Sequence, residues 1–125
     1  SLLWGKLGIN AAINPVTALL GMTNGQVHAN PYALALSLAA AREAEAAAGL
    51  LGIHLPYPDA AVRVETVLRG TSANRSSMVQ DLERGAPTEI DAINGAVIQA
   101  AKETGLDCPV NLSLYRLVKA RAGQQ

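Results

Sequence analysis

Phenylalanine is missing from this sequence, and aromatic residues make up only 3% of its 125 positions although 50% are hydrophobic. Alanine and leucine fill the gap. Both favour helices, so a core of small and aliphatic side chains on helices is expected. An excess of charge is missing too: Lys plus Arg and Asp plus Glu number 10 each. A neutral chain argues against a nucleic-acid footprint or an electrostatic membrane patch. The single cysteine, Cys108, excludes an internal disulfide, suits a reducing, cytoplasmic setting and reads as an inert buried thiol. His28 and His54 have no partners at metal-ligand spacing, so no metal is expected. Gly5 and Gly8 lack the spacing of a phosphate-cradling loop. The uncharged run from Leu7 to Ala41 is interrupted by Asn10, Asn14, Pro15, Asn24, Gly25 and Pro31, which rules it out as a membrane span. With no initiating methionine, Ser1-Leu2-Leu3-Trp4 reads as the inside of a helix, and the chain is expected to be a piece of a longer protein.

What is present predicts an all-α fold, a compact bundle of six or seven helices in one domain over residues 1–125. A helix over Leu2–Asn14 is expected to end or kink at Asn14-Pro15, with a short second helix from Pro15 to Gly21. Asn24-Gly25 signals a turn. Asn30-Pro31 caps a helix to about Ala48, whose "AREAEAAAG" segment reads as a solvated face. After the loop "GIHLPYPD", Asp59 caps a helix to Leu68, and Ser76 or Ser77 caps a short one ending at Gly85. Thr88 to Thr104 is predicted as one helix, and Asn111 as the cap of the last, to Ala122.

Before Arg42 the sole charged side chain is Lys6, too few for an ordinary surface helix. At about 100° per residue, Lys6, Asn10 and Asn14 fall within about 80° of one another, a ribbon about 12 Å long. Ile9, Ile13 and Leu2 flank it on one side and Leu7, Ala11 and Trp4 on the other. Gly5, Gly8 and Ala12 lie opposite, where another element can approach closely. A plain solvated stripe is one reading of the ribbon; the apolar flanks favour the floor of a cleft. An ammonium offers a proton or charge to an oxygen, and amides offer donor and acceptor to hydroxyls or a carboxylate.

In "GAPTEIDAING", Thr88 fits an N-cap and Asp91 the return arm of a capping box. Glu89 falls in the first helical turn, where the dipole favours an acid by about 0.3–1 kcal/mol. It also borders the buried stripe of Ile90, Ile93, Val97, Ala100 and Ala101, so it can reach a cleft while Asp91 cannot.

The stretches "WGKLGINAAINPVTALLGMTNGQV", "NRSSMVQDLERGAPTEIDAINGAV" and "PVNLSLYRLVKA" resemble the C-terminal domain of ketopantoate reductase (2-dehydropantoate 2-reductase), in order and over essentially the whole chain. The resemblance implies an all-helical domain of the 6-phosphogluconate dehydrogenase C-terminal type. It also implies an N-terminal Rossmann domain, outside this sequence, that binds NADPH. The cleft between the two would reduce ketopantoate to pantoate, toward pantothenate and coenzyme A. By position, Lys6 matches the family's catalytic proton donor, and Asn10, Asn14 and Asn24 its substrate-contacting asparagines. Ser77 matches the serine that holds the substrate, and Glu89 the glutamate on the cofactor side of the cleft.

Two other readings stay open. One is the same domain of a related reductase with another 2-keto acid. The other is a helical assembly module with no ligand at the ribbon. Without its partner domain the chain is expected to expose an apolar patch and to associate, as a homodimer or in a crowded crystal contact.

Overall fold

The computed structural model describes residues 1–123, and their elements are seven helices. The first, α1, runs over Leu2–Leu20 and is opened by Ser1, whose hydroxyl accepts from the Trp4 N–H at 3.1 Å. Of the end or kink expected at Asn14-Pro15, the end does not occur, and Pro15 lies inside α1. A proline inside a helix removes one N–H and leaves the carbonyl four residues back without its donor. Here that carbonyl is Ala11's, and the buried Asn94 side chain donates to it at 2.9 Å. A side chain from a later helix replaces the lost bond, and α1 continues to Gly21, whose left-handed φ of 65° ends it.

The turn expected at Asn24-Gly25 is instead the start of α2, Asn24–Ala29. Thr23 accepts from the Gln26 N–H at 3.2 Å, and Gln26 Oε1 accepts from the Thr23 N–H at 2.9 Å, a reciprocal capping box. The next helix, α3 (Pro31–Leu50), begins at the expected Asn30 cap, and α4 (Ala60–Gly70) at the expected Asp59 cap. Of the two candidate serines, Ser76 caps α5 (Ser77–Glu83), accepting from the Val79 N–H at 3.2 Å.

Residues 88–93 form a tight turn, and α6 starts only at Asn94, running to Thr104. The expected capping box fails because the Asp91 carboxylate is engaged elsewhere. It accepts from the Tyr115 hydroxyl at 2.6 Å and from Lys119 at 3.1 Å, both on α7 (Pro109–Ala122). These two donors, Tyr115 first, hold Asp91 below the usual carboxylate range. Asn111 is no cap either. It is fully buried in α7, and its side-chain nitrogen donates to Ala40 O and to Glu43. Glu43 does the capping, accepting from the Val110 and Asn111 N–H groups at 3.0 and 2.8 Å. Glu45 likewise accepts from the Ala60 N–H at the start of α4, at 2.8 Å. The "AREAEAAAG" segment is therefore not a solvated face. Its two glutamates neutralise the starts of two neighbouring helices, and Ala41, Ala44, Ala47 and Ala48 are buried beneath them.

The helix α1 is central. Ile13 and Val16 pack with Val27, Val64, Leu68 and Leu114. Ala11 and Ala18 pack with Met78, Val79, Leu82, Val97 and Val118. Its small residues allow the approach expected of them: a β-carbon at Gly8 would lie 3.6 Å from the Ala44 methyl on α3, and one at Gly5 only 2.6 Å from the Pro56 ring. Burial pushes the Cys108 thiol pKa up, in keeping with an inert group.

A second close approach ties α2 to the loop after α4. A β-carbon on Gly25 would sit 2.6 Å from Ser72 Cβ and 3.0 Å from its carbonyl oxygen, so the backbone must move to admit it. Gly25→Ala is expected to lower stability by about 1–3 kcal/mol. Gly49→Ala, in a helix with nothing within 4 Å of the new methyl, is expected to raise it by up to about 1 kcal/mol. Chemical denaturation of the two variants side by side reads both signs; a neutral Gly25→Ala would contradict the tight contact.

Candidate functional site

One face of α1 forms the floor of a hollow of about 380 Å³, to which Lys6, Asn10 and Asn14 contribute with Ile9 and Ile13 between them. The Lys6–Asn10–Asn14 ribbon is therefore a cleft floor rather than a plain solvated stripe. Asn24 of α2, Val67 of α4, and Thr71 and Asn74 of the segment after it also line the hollow. Ser76, Ser77 and Glu89 complete the lining. All six residues singled out from the sequence (Lys6, Asn10, Asn14, Asn24, Ser77 and Glu89) thus line one cavity, although they come from four separate stretches of chain.

Each is presented for a local reason. On α1 the three floor residues are one turn apart. Asn24 occupies the first turn of α2, which is docked by its own N–H to Asn74 O at 3.0 Å and by the Gly25 N–H to Ser72 O at 2.9 Å. Ser76 is buried and committed, capping α5 and sharing a 2.7 Å hydrogen bond with Thr17. The next residue, Ser77, is consequently the exposed one. Glu89 lies on the 88–93 turn, which buries Ile90 and Ile93 and is fastened to α7 through Asp91. The two neighbouring acids divide the work: Asp91 holds the turn, and Glu89 faces the hollow.

The hollow has a strong polar bias. Lys6 pairs with no carboxylate among the described residues, which leaves its ammonium free for a ligand oxygen. The amides of Asn10 and Asn14 offer donors and acceptors beside it. Lys6 and Asn10 also line a smaller, adjoining hollow with Tyr57 and Arg63, and a shallow apolar one with Leu3 and Leu7. Leu2 and Leu3, 79% and 80% exposed, stand at the start of the same helix.

Sequence reading missed Thr71, Asn74 and Ser76 as lining residues. Asn74 and Ser76 belong to "NRSSM", the start of the second stretch quoted above. For Thr71 the sole signal is its place just before that stretch.

Fold and hollow together define an all-α domain with a polar cleft along its central helix. The family model described as ketopantoate reductase PanE/ApbA C terminal matches residues 1–122, and the chain belongs to that family. The 2-dehydropantoate 2-reductase of Archaeoglobus fulgidus is 44% identical over 117 residues, 94% of this chain but 39% of the relative. The chain thus spans about two-fifths of the length of the curated relatives it matches. Among solved structures, a PanE/ApbA family ketopantoate reductase from Ralstonia eutropha superposes with a TM-score of 0.91 at 30% identity, over 98% of this chain and 41% of that one. A D-mandelate dehydrogenase solved with NADH and anilino(oxo)acetate gives 0.88 at 25% identity, over 98% and 51%. A dimeric ketopantoate reductase from Staphylococcus aureus gives 0.85 at 27%, over 98% and 43%. Among the described residues, no helix is long and apolar enough to cross a membrane.

Proposed function

We propose that this chain is the substrate-binding domain of a cytoplasmic, NADPH-dependent 2-dehydropantoate 2-reductase, which reduces ketopantoate to pantoate on the way to pantothenate and coenzyme A. The observation that carries the reading is the meeting of Lys6, three asparagines, Ser77 and Glu89 around one hollow. In this reading a Rossmann domain preceding Ser1 covers the hollow and holds most of the cofactor. The chain itself has no glycine-rich phosphate loop, and its described residues form no strand, so it offers the cofactor only an edge. Glu89, with its exposed carboxylate beside the hollow, fits that role through acceptor oxygens for hydroxyl or amide groups.

When bound, the reduced nicotinamide supplies the hydride. The Lys6 ammonium donates a proton to the ketone oxygen, or stabilises the charge growing there. Asn10 and Asn14 orient the keto acid along α1, and the Ser77 hydroxyl holds its far side. The domain alone is expected to be inactive.

Related 2-keto acids form the second reading, favoured by the likeness to the D-mandelate dehydrogenase. Assay of the complete protein against a panel of 2-keto acids separates the two. A preference for ketopantoate supports the proposal, and equal or greater activity on an aromatic keto acid contradicts it. In the same assay Asn10→Ala and Asn14→Ala are each expected to raise KM about 10-fold or more, the loss of a hydrogen bond or two. Unchanged kinetics in both would remove them from the site. The exposed Leu2 and Leu3 and the dimeric relative support a homodimer, tested by sedimentation; a strictly monomeric species at high concentration would count against it.

A further inference from the structure

Ser77, exposed and lining the hollow, is placed by its buried neighbour. The Ser76 hydroxyl lies 2.7 Å from that of Thr17, which is fully buried on α1. Proton counting fixes the direction of this pair. Asn14 O is a carbonyl and can only accept, so Thr17 gives it the single hydroxyl proton, at 2.9 Å. Towards Ser76, Thr17 can then only accept, and Ser76 supplies the proton. Ser76 Oγ in turn accepts from the Val79 N–H at 3.2 Å. One directed chain thus runs from the first turn of α5, through two buried hydroxyls, to the carbonyl of a floor residue. Ala18, Met78 and Val79 share an apolar cluster beside it, but apolar contact is non-directional. The hydroxyl chain is what sets the register of α5 against α1.

We propose that Thr17 is a positioning residue for the reaction: through Ser76 it fixes the start of α5, and so the place of the Ser77 hydroxyl in the hollow. The inference rests on the reading of Ser77 as a group that holds the 2-keto acid. Thr17 is fully buried and acts on the substrate only through Ser77.

The test uses the complete protein and a double-variant cycle. Thr17→Val nearly keeps the shape and removes both the acceptor for Ser76 and the donor to Asn14. It should raise KM for the keto acid by about 10-fold, with a smaller change in kcat. Thr17→Ser, which keeps the hydroxyl, should stay within about twofold of wild type. In a Ser77→Ala background, Thr17→Val should add less than about twofold, because its route to the substrate is gone. Val118→Ala, a truncation of a fully buried side chain on α7, should lose stability without moving KM. An undiminished loss in the Ser77→Ala background, or an equal KM rise in Val118→Ala, would make Thr17 merely structural and overturn the inference. Hydrogen exchange reads the register directly. Thr17→Val should speed exchange of the Val79 amide by about 10-fold or more relative to the buried Ala41 and Ala44 amides of α3. Uniform acceleration, or none at Val79, would equally overturn it. Failure of the wild type to reduce any 2-keto acid would sink the activity reading instead, and exchange at Val79 would still decide whether Thr17 sets α5. Should Thr17→Val not fold, Thr17→Ala, which removes the same hydroxyl, takes its place in every arm.

Discussion

Replacing Lys6 with alanine in the complete protein is expected to lower kcat by about 10²–10⁴, the range for loss of a positioned proton donor. KM should change much less. Lys6 is exposed, pairs with no carboxylate among the described residues and shares the hollow with Asn10 and Asn14. Its removal therefore breaks no structural bond, and stability should stay within about 0.5 kcal/mol of wild type. Lys6→Arg sharpens the point. The guanidinium keeps the charge but gives up a proton far less readily. Recovery of activity in Lys6→Arg would assign the residue an electrostatic role alone, whereas persistence of the defect supports proton donation. A change confined to KM would make Lys6 a binding residue.

The second large effect is on stability. Asn94→Ala should cost about 2–4 kcal/mol, because it strands buried partners and leaves a cavity. Asn94 Nδ2 donates to Ala11 O at 2.9 Å and to Asn111 Oδ1 at 3.0 Å, and Asn111 in turn donates to Ala40 O and Glu43. Asn94 thus joins the middle of α1 to α7, and through Asn111 to α3. The Ala11 carbonyl needs that donor only because residue 15 is a proline. In an Asn94→Ala background, Pro15→Ala returns a backbone N–H to Ala11 O, so the double variant should lose about 1 kcal/mol less than the two single losses predict. Urea denaturation of the four proteins measures this coupling, and strict additivity would show that Asn94 does not stand in for the missing proline N–H.

These two cases mark what the sequence could and could not reveal. The Lys6–Asn10–Asn14 ribbon was legible because helical periodicity alone puts the three side chains on one face. The caps at Asn30, Asp59 and Ser76 were legible because donor and acceptor lie within three residues. The Thr23–Gln26 box was equally local, yet the Asn24-Gly25 pair beside it reads as a turn. That α1 runs on through Pro15 could not be read, because the group that rescues it is 83 positions away. Nor could the start of α7, where Glu43 caps from 67 positions away. Asp91 was misread for the same reason. Its distant partners Tyr115 and Lys119 outcompete the local capping box, and the helix begins at Asn94 instead of Thr88. In the site, Asn24 and Ser77 entered through family resemblance rather than periodicity, since only the docking of α2 and α5 brings them to the α1 floor.

The most direct test of the central claim, that one hollow over α1 receives the keto acid, is a crystal structure of the complete protein with pantoate and oxidised cofactor. The account predicts pantoate against the α1 floor, with its 2-hydroxyl oxygen within hydrogen-bond distance of Lys6 Nζ, its body along Asn10 and Asn14, and Ser77 and Glu89 beside it. Pantoate bound elsewhere, with Lys6 Nζ turned into solvent, would contradict it.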